Sequence, residues 1–192
     1  MSKTRQKIVD AARLLFYTRG FDNTSLGAIS IEAGVPKGNF YYHFQTKDDV
    51  LRAVIAARHK HIEAALSAWA KDYPTPLTRL QRFVEMLTHE RSNLVRYGCP
   101  AGSLVSELGK KRDDLRSEAV AILDLYINFV AAGFREFGHP KDAARTLAIR
   151  LVARAQGAIL LAQAFNDPAL LDREIVDIQT WIEEQTETRP VS

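Results

Sequence analysis

Residues 36–50 read PKGNFYYHFQTKDDV. Eleven consecutive positions within them hold Lys37, Gly38, Asn39, Tyr41, Tyr42, His43 and Lys47. Lysine, tyrosine and histidine carry N–H and O–H donors suited to phosphate oxygens, and asparagine both donates and accepts on a base edge. Gly38 removes a side chain where a polyanion backbone has to come close. Each residue alone has a plainer meaning: Asn39 as a surface residue, Tyr41 as a partly packed ring, His43 as a solvated histidine. A core helix would hide these rings, and an ordinary surface helix has no use for so many. Together they predict a face that grips nucleic acid, anchored on its inner side by Phe40 and Phe44, four residues apart.

The flanking sequence predicts the elements that present this face. Ile8, Ala12, Leu15 and Phe16 follow helical spacing, and Gly20 stands where a helix ends. Ser25 predicts the N-cap of a short helix through Ala33, with Gly34 as its stop. Pro36 holds Val35 out of the helical region and opens a second short helix. Thr46 and Asp49 have the spacing of a capping box at the head of a long helix that carries Leu51, Val54, Ile55, Ile62, Leu66 and Trp69. Two short helices joined by AGVP, the second polar and aromatic, give helix-turn-helix spacing. Three short helices are too few to bury a core, so they must lean on the long helix. The domain boundary falls inside it, giving residues 1–47 and 48–192.

Charge agrees with this placement. The 192-residue chain has a formal charge of +3, yet residues 1–47 carry seven basic against three acidic side chains, a surplus of four. A basic N-terminal quarter suits a polyanion partner, although a solvated surface has the same composition.

The stretch from Thr4 to Leu51 resembles the tetracycline-repressor (TetR) family. The resemblance rests on the helix ending in RGF, the TS pair before the second helix, the AGV turn, KGNFYYHF and TKDDVL, about a quarter of the chain. It implies a homodimeric transcription repressor. The N-terminal domain would bind a palindromic operator on double-stranded DNA, and a helical C-terminal domain would bind a small effector that releases it. By motif position the DNA-facing residues are Ser25, Lys37, Gly38, Asn39, Tyr41, Tyr42, His43 and Lys47. Two positions depart from the family pattern: Ser30 stands where alanine is frequent, and Pro36 where serine is frequent. Pro36 lacks both an N–H and a hydroxyl, so no phosphate contact is assigned to it.

The remainder reads as helices over about 75–97, 102–108, 113–137, 140–165 and 169–186, with no strand-like alternation, so the fold class is all-α. Gly109 is expected to end the short helix. Thr75-Pro76 opens the first of these helices, and RYGCPAGS interrupts it. The 113–137 helix has two apolar faces, one with Val120, Leu123, Ile127, Val130 and Phe134, the other with Ile122, Tyr126, Phe129 and Gly133. The second could line an effector site with Phe83, Leu87, Cys99 and Leu104, although core packing is the commoner meaning of such a stripe. The effector expected there is mostly apolar. Helix 140–165 is apolar nearly all round, which predicts burial on both sides. By resemblance Ala148, Val152, Ala155, Ile159 and Ala162, with Ile175, Ile178 and Ile182 of the last helix, form the dimer interface; the alternative is an intramolecular core.

Cys99, the sole cysteine, excludes an intramolecular disulfide framework and fits a reducing cytoplasm. It lies ahead of a helix start, where a thiolate is favoured, so a thiol-based electrophile or oxidant sensor is one alternative and a small buried hydrophobe the other. The sequence holds no phosphate loop, no paired metal-ligand spacing and no glycine-flanked serine nucleophile, so neither an enzyme nor a metal site nor a cofactor is expected. A helical interaction protein without DNA binding would leave residues 36–47 unexplained. No run of about 18 apolar residues appears, so no membrane span is expected.

Overall fold

In the computed structural model, which describes residues 2–108 and 113–187, the expected punctuation forms ten helices and, among the described residues, no strand. They are α1 (Lys3–Arg19), α2 (Leu26–Glu32), α3 (Lys37–His43), α4 (Lys47–Asp72), α5 (Pro76–His89), α6 (Arg91–Tyr97), α7 (Pro100–Leu108), α8 (Asp113–Glu136), α9 (Lys141–Phe165) and α10 (Pro168–Glu187). Ser25 Oγ accepts from the Ala28 N–H at 3.1 Å and starts α2, and Thr75 does the same for the Thr78 N–H at 3.2 Å in α5. Gly20 and Gly34 have φ of +83° and +61°, which a Cβ would strain, so the chain leaves α1 and α2 at those points. The Thr46–Asp49 box closes reciprocally: the Thr46 N–H donates to Asp49 at 3.0 Å and the Asp49 N–H to Thr46 Oγ1 at 3.1 Å.

The chain forms two compact units. The first comprises residues 1–62 and 103–122, the second residues 63–102 and 123–192. The sequence boundary at residue 47 therefore lies within the first unit, which takes in most of α4, α7 from Ser103 and the first part of α8. In this unit Ile8, Ala12, Leu15, Phe16, Ile29, Phe40, Val50 and Leu51 are buried. Two polar ties reinforce it. Glu107 of α7 accepts from the backbone N–H of Phe21 at 3.0 Å and of Asp22 at 2.9 Å. Arg52 of α4 pairs with Asp114 and Glu118 of α8. Hydrogen bonding to Asp114 raises the Arg52 pKa above its ordinary value.

The second unit is built on a core of α5, α6, α9 and α10 with the later part of α8, including Leu80, Phe83, Val84, Val130, Phe134, Leu151, Ile159, Leu171 and Ile178. Gly133 fits here because a Cβ on it would meet Leu80 Cδ2 at 2.9 Å. Arg91 of α6 and Asp172 of α10 form a two-pronged pair, both contacts at 2.6 Å.

Three expectations are corrected. The 75–97 segment is two helices, because Glu90 at φ −92°, ψ 4° leaves helical geometry while its N–H still bonds to Met86 O. Nothing in HERS signals this, since it has neither glycine nor proline. The helix after the break begins at Pro100, with Gly102 already inside it. Val120 is 37% exposed rather than part of a buried face. Within the single chain, α9 buries Ala144, Leu147, Ala148, Leu151, Val152, Ala155, Ala158, Ile159 and Ala162, whereas Ile149, Leu160, Leu161 and Phe165 are exposed. The expected stop at Gly109 lies outside the described residues. By length and composition alone, α8 from Asp114 and α9 are apolar enough to cross a membrane, a test that core helices also pass; in the chain both contribute buried residues to helical cores.

Candidate nucleic-acid interface

The turn between α2 and α3 is held from inside. Ser30, 6% exposed, donates its hydroxyl to Val35 O at 2.6 Å, and the Val35 N–H returns to Ser30 O at 3.0 Å. The serine found where alanine is frequent in the family thus has a structural role: it satisfies a buried carbonyl at the turn. Pro36 caps α3 with no side-chain bond, and its carbonyl accepts from the Phe40 N–H at 2.9 Å.

Phe40 is the pivot of α3. It is 1% exposed, and its ring lies 6.3 Å from Phe44 and 5.9 Å from Tyr41, the latter edge-on. Because Phe40 faces inward, the residues around it must face out: Lys37, Gly38 and Asn39 are exposed, Tyr41 is 46% exposed and Tyr42 82%. The Tyr42 and His43 rings meet edge-on at 5.1 Å, with His43 half-buried. Gln45 Nε2 donates to Tyr41 O at 2.8 Å and closes the end of the helix. Space is open at Gly38, with no atom of the chain within 4 Å of an added Cβ. Packing within the described chain therefore does not require glycine at 38.

Two of the eight sequence-assigned residues are already engaged within the chain. Ser25 is the α2 cap. Lys47 Nζ donates to Phe21 O at 2.8 Å and sits 4.2 Å from the Phe21 ring centroid, so its charge is fixed beside the α1–α2 turn. The Glu107 tie to the same turn was invisible in the sequence, because a carboxylate 85 residues away carries no local pattern.

The effector-site residues divide between the units. Phe83 and Leu87 are buried in the core of the second unit, and Cys99, Tyr126 and Phe129 pack partly buried against it. Phe83 and Tyr126 meet edge-on at 5.6 Å. Leu104 belongs to the first unit. Two further side chains adjoin Phe129: the Trp69 ring is edge-on to it at 6.1 Å, and the Arg82 guanidinium lies 4.6 Å from the Trp69 centroid.

The expected dimer residues are covered within the single chain. Ala148, Val152, Ala155, Ile159, Ala162, Ile175, Ile178 and Ile182 are each 6% exposed or less.

An all-helical chain whose second and third helices hold an outward polar face above a phenylalanine anchor has the design of a helix-turn-helix DNA-binding regulator. Comparison makes this specific, and the chain belongs to the TetR family. Residues 8–54 match "Bacterial regulatory proteins, tetR family", and residues 76–174 match "Transcriptional regulator LmrA/YxaF-like, C-terminal domain". The HTH-type transcriptional repressor BepR of Brucella suis is 30% identical over 144 residues, 70% of this chain and 68% of that protein. The HTH-type transcriptional regulator LmrA of Bacillus subtilis is 28% identical over 171 residues, 88% and 91% of the two chains. The crystal structure of regulatory protein TetR from Rhodobacter sphaeroides superposes with a TM-score of 0.80 at 27% identity, covering 93% of this chain and 98% of that one. The chain is a transcription regulator and not an enzyme.

Proposed function

We propose that the protein is a cytoplasmic, homodimeric repressor that binds a palindromic operator through α3 and leaves it when a small, mostly apolar effector binds the second unit. The observation that carries this reading is the outward face of α3, where Lys37, Gly38, Asn39 and Tyr42 serve no packing need. Asn39 reads a base edge; Lys37, Tyr41, Tyr42 and His43 hold the flanking phosphates. The repressor reading draws on the printed name of BepR.

The twofold contact is assigned to the uncovered side of α9 and α10. Leu160, Leu161 and Phe165 are 63%, 47% and 69% exposed, Ala153 and Ala164 lie open beside them, and Val176 of α10 is 59% exposed. Between Arg154 and Asp167 α9 carries no charged side chain. A second copy presenting the same patch is its natural occupant, since an isologous contact brings like apolar surfaces together. Enrichment of bound fragments from a random-sequence DNA pool tests the whole reading. A palindromic consensus bound by a species of twice the chain mass is expected. No enrichment over random DNA at moderate salt would refute it.

A second reading concerns Cys99. Its Sγ accepts from the Gly102 N–H at 3.5 Å and from Gln156 Nε2 at 3.3 Å, so two donors face a half-buried free thiol. In that reading an electrophile alkylates the sulfur with loss of the thiol proton, and the added bulk displaces Gln156. Comparing DNA release by wild type and Cys99→Ser with a thiol-reactive compound decides it: equal release removes Cys99 from the mechanism.

A further inference from the structure

Phe21 and Asp22 share one peptide bond, and both of its polar ends are held by charge. Its carbonyl, Phe21 O, accepts from Lys47 Nζ at 2.8 Å, and its N–H, on Asp22, donates to Glu107 Oε1 at 2.9 Å. The groups on either side repeat the pattern. The Phe21 N–H donates to Glu107 Oε2 at 3.0 Å, and Lys47 Nζ donates to Asp22 O at 3.4 Å. All four residues belong to the first unit. A peptide group polarised from both ends binds each partner more strongly than it would bind either alone.

The surroundings fit this arrangement. Gly20 leaves room for the carboxylate, since a Cβ there would stand 3.2 Å from Glu107 Oε1. Lys47 Nζ also lies 4.2 Å from the Phe21 ring centroid. An ammonium spent on two carbonyls and a ring is held toward the turn, away from the role of a phosphate contact. Lys47 opens α4 and Glu107 lies in the last turn of α7. Phe21 O accepts in addition from the Thr24 N–H at 3.2 Å, which ties the same peptide to the residue before Ser25, the α2 cap.

We infer that Lys47 and Glu107 are positioning residues for DNA reading, coupled to each other through the Phe21–Asp22 peptide, and that Lys47 does not contact phosphate. The inference rests on the operator-binding reading and adds to it the means by which α4 and α7 together set the entry to α2.

The sign of two substitutions tests it. If both side chains acted on DNA through their charge, losing the acid would tighten binding and losing the base would loosen it. If they act by holding the turn, both losses loosen it. Fluorescence anisotropy on the enriched site compares wild type, Lys47→Met, Glu107→Ala and the double variant. Each single variant should bind at least about fivefold more weakly, and the double variant no more than about twofold more weakly than the worse single. The slope of log affinity against log salt should stay within about 0.3 of wild type in Lys47→Met, where loss of a phosphate contact would lower it by about 0.9. Tighter binding by Glu107→Ala, additive losses, unchanged affinity, or the full slope change in Lys47→Met overturns the inference. Amide exchange of the DNA-free protein tests the coupling separately. Asp22 should exchange at least about fivefold faster in Lys47→Met, although Lys47 bonds to carbonyls and not to that N–H, while Ile8 and Leu51 keep their protection and report an intact fold. Unchanged exchange at Asp22 overturns the coupling whether or not an operator is found, whereas failure of wild type to bind any site falls on the operator-binding reading.

Discussion

Replacing Glu107 with alanine removes the acceptor for the backbone N–H groups of Phe21 and Asp22. A hydrogen bond to a charged group contributes about 1.5–3 kcal/mol net when shielded. The Phe21 bond is part-buried and the Asp22 bond is exposed, so the second belongs below that range. Together they amount to about 2–3 kcal/mol of local stability at the α1–α2 turn. Lys47 still ties the carbonyls of the same two residues, so the turn loosens without unfolding. Amide hydrogen exchange read residue by residue is the suitable assay. Phe21 and Asp22 should exchange about 30–100-fold faster in Glu107→Ala, whereas Ile8 and Leu51 in the same unit should change far less. Glu107→Gln should fall between, since its amide oxygen can accept from one of the two groups. Unchanged protection at Phe21 and Asp22 would show that the carboxylate does not hold this turn.

Other outcomes follow from the same geometry. Gly38→Ala should stabilise α3 by up to about 1 kcal/mol through helix propensity, since the space is open, yet weaken DNA binding; a gain or no change in affinity would remove the close-approach role. Phe165→Ser should weaken the dimer by up to about 4 kcal/mol, taking about 2 kcal/mol for each two-thirds-exposed ring at full burial and counting it twice, with sedimentation equilibrium as the readout. Hydrogen bonding by Thr46, first from its side chain and then from its backbone, holds the Asp49 carboxyl below its ordinary value of 3.8. A lowered pKa adds stability that is complete above 3.8 and is lost as pH falls through the lowered value. Urea midpoints of wild type and Asp49→Asn should therefore differ at pH 6 and converge as the pH falls well below 3.8.

Local chemistry explains which features were legible in the sequence. The caps at Ser25, Thr46 and Thr75 and the turns at Gly20 and Gly34 are dictated by residues within four positions of one another, and each formed as read. The outward face of α3 was legible because Phe40 and Phe44 fix the inward direction. The side of α9 that stays uncovered was not legible: alanines at helical spacing suit a neighbour in the same chain as well as one in another. Periodicity tells that a stripe is buried and not by what. Nor was the break at Glu90, where a backbone change occurs without glycine or proline, nor the long-range ties made by Glu107 and Arg82.

The central claim is that α3 reads DNA, and fluorescence anisotropy on an enriched site and a scrambled duplex, for wild type, Tyr42→Ala and Asn39→Ala, tests it most directly. Tyr42→Ala should weaken both duplexes alike, as loss of a phosphate contact does. Asn39→Ala should lower the ratio of the two affinities by about 1–3 kcal/mol, as loss of a base contact does. If both variants keep wild-type helicity and bind both duplexes as wild type does, α3 is not the reading helix.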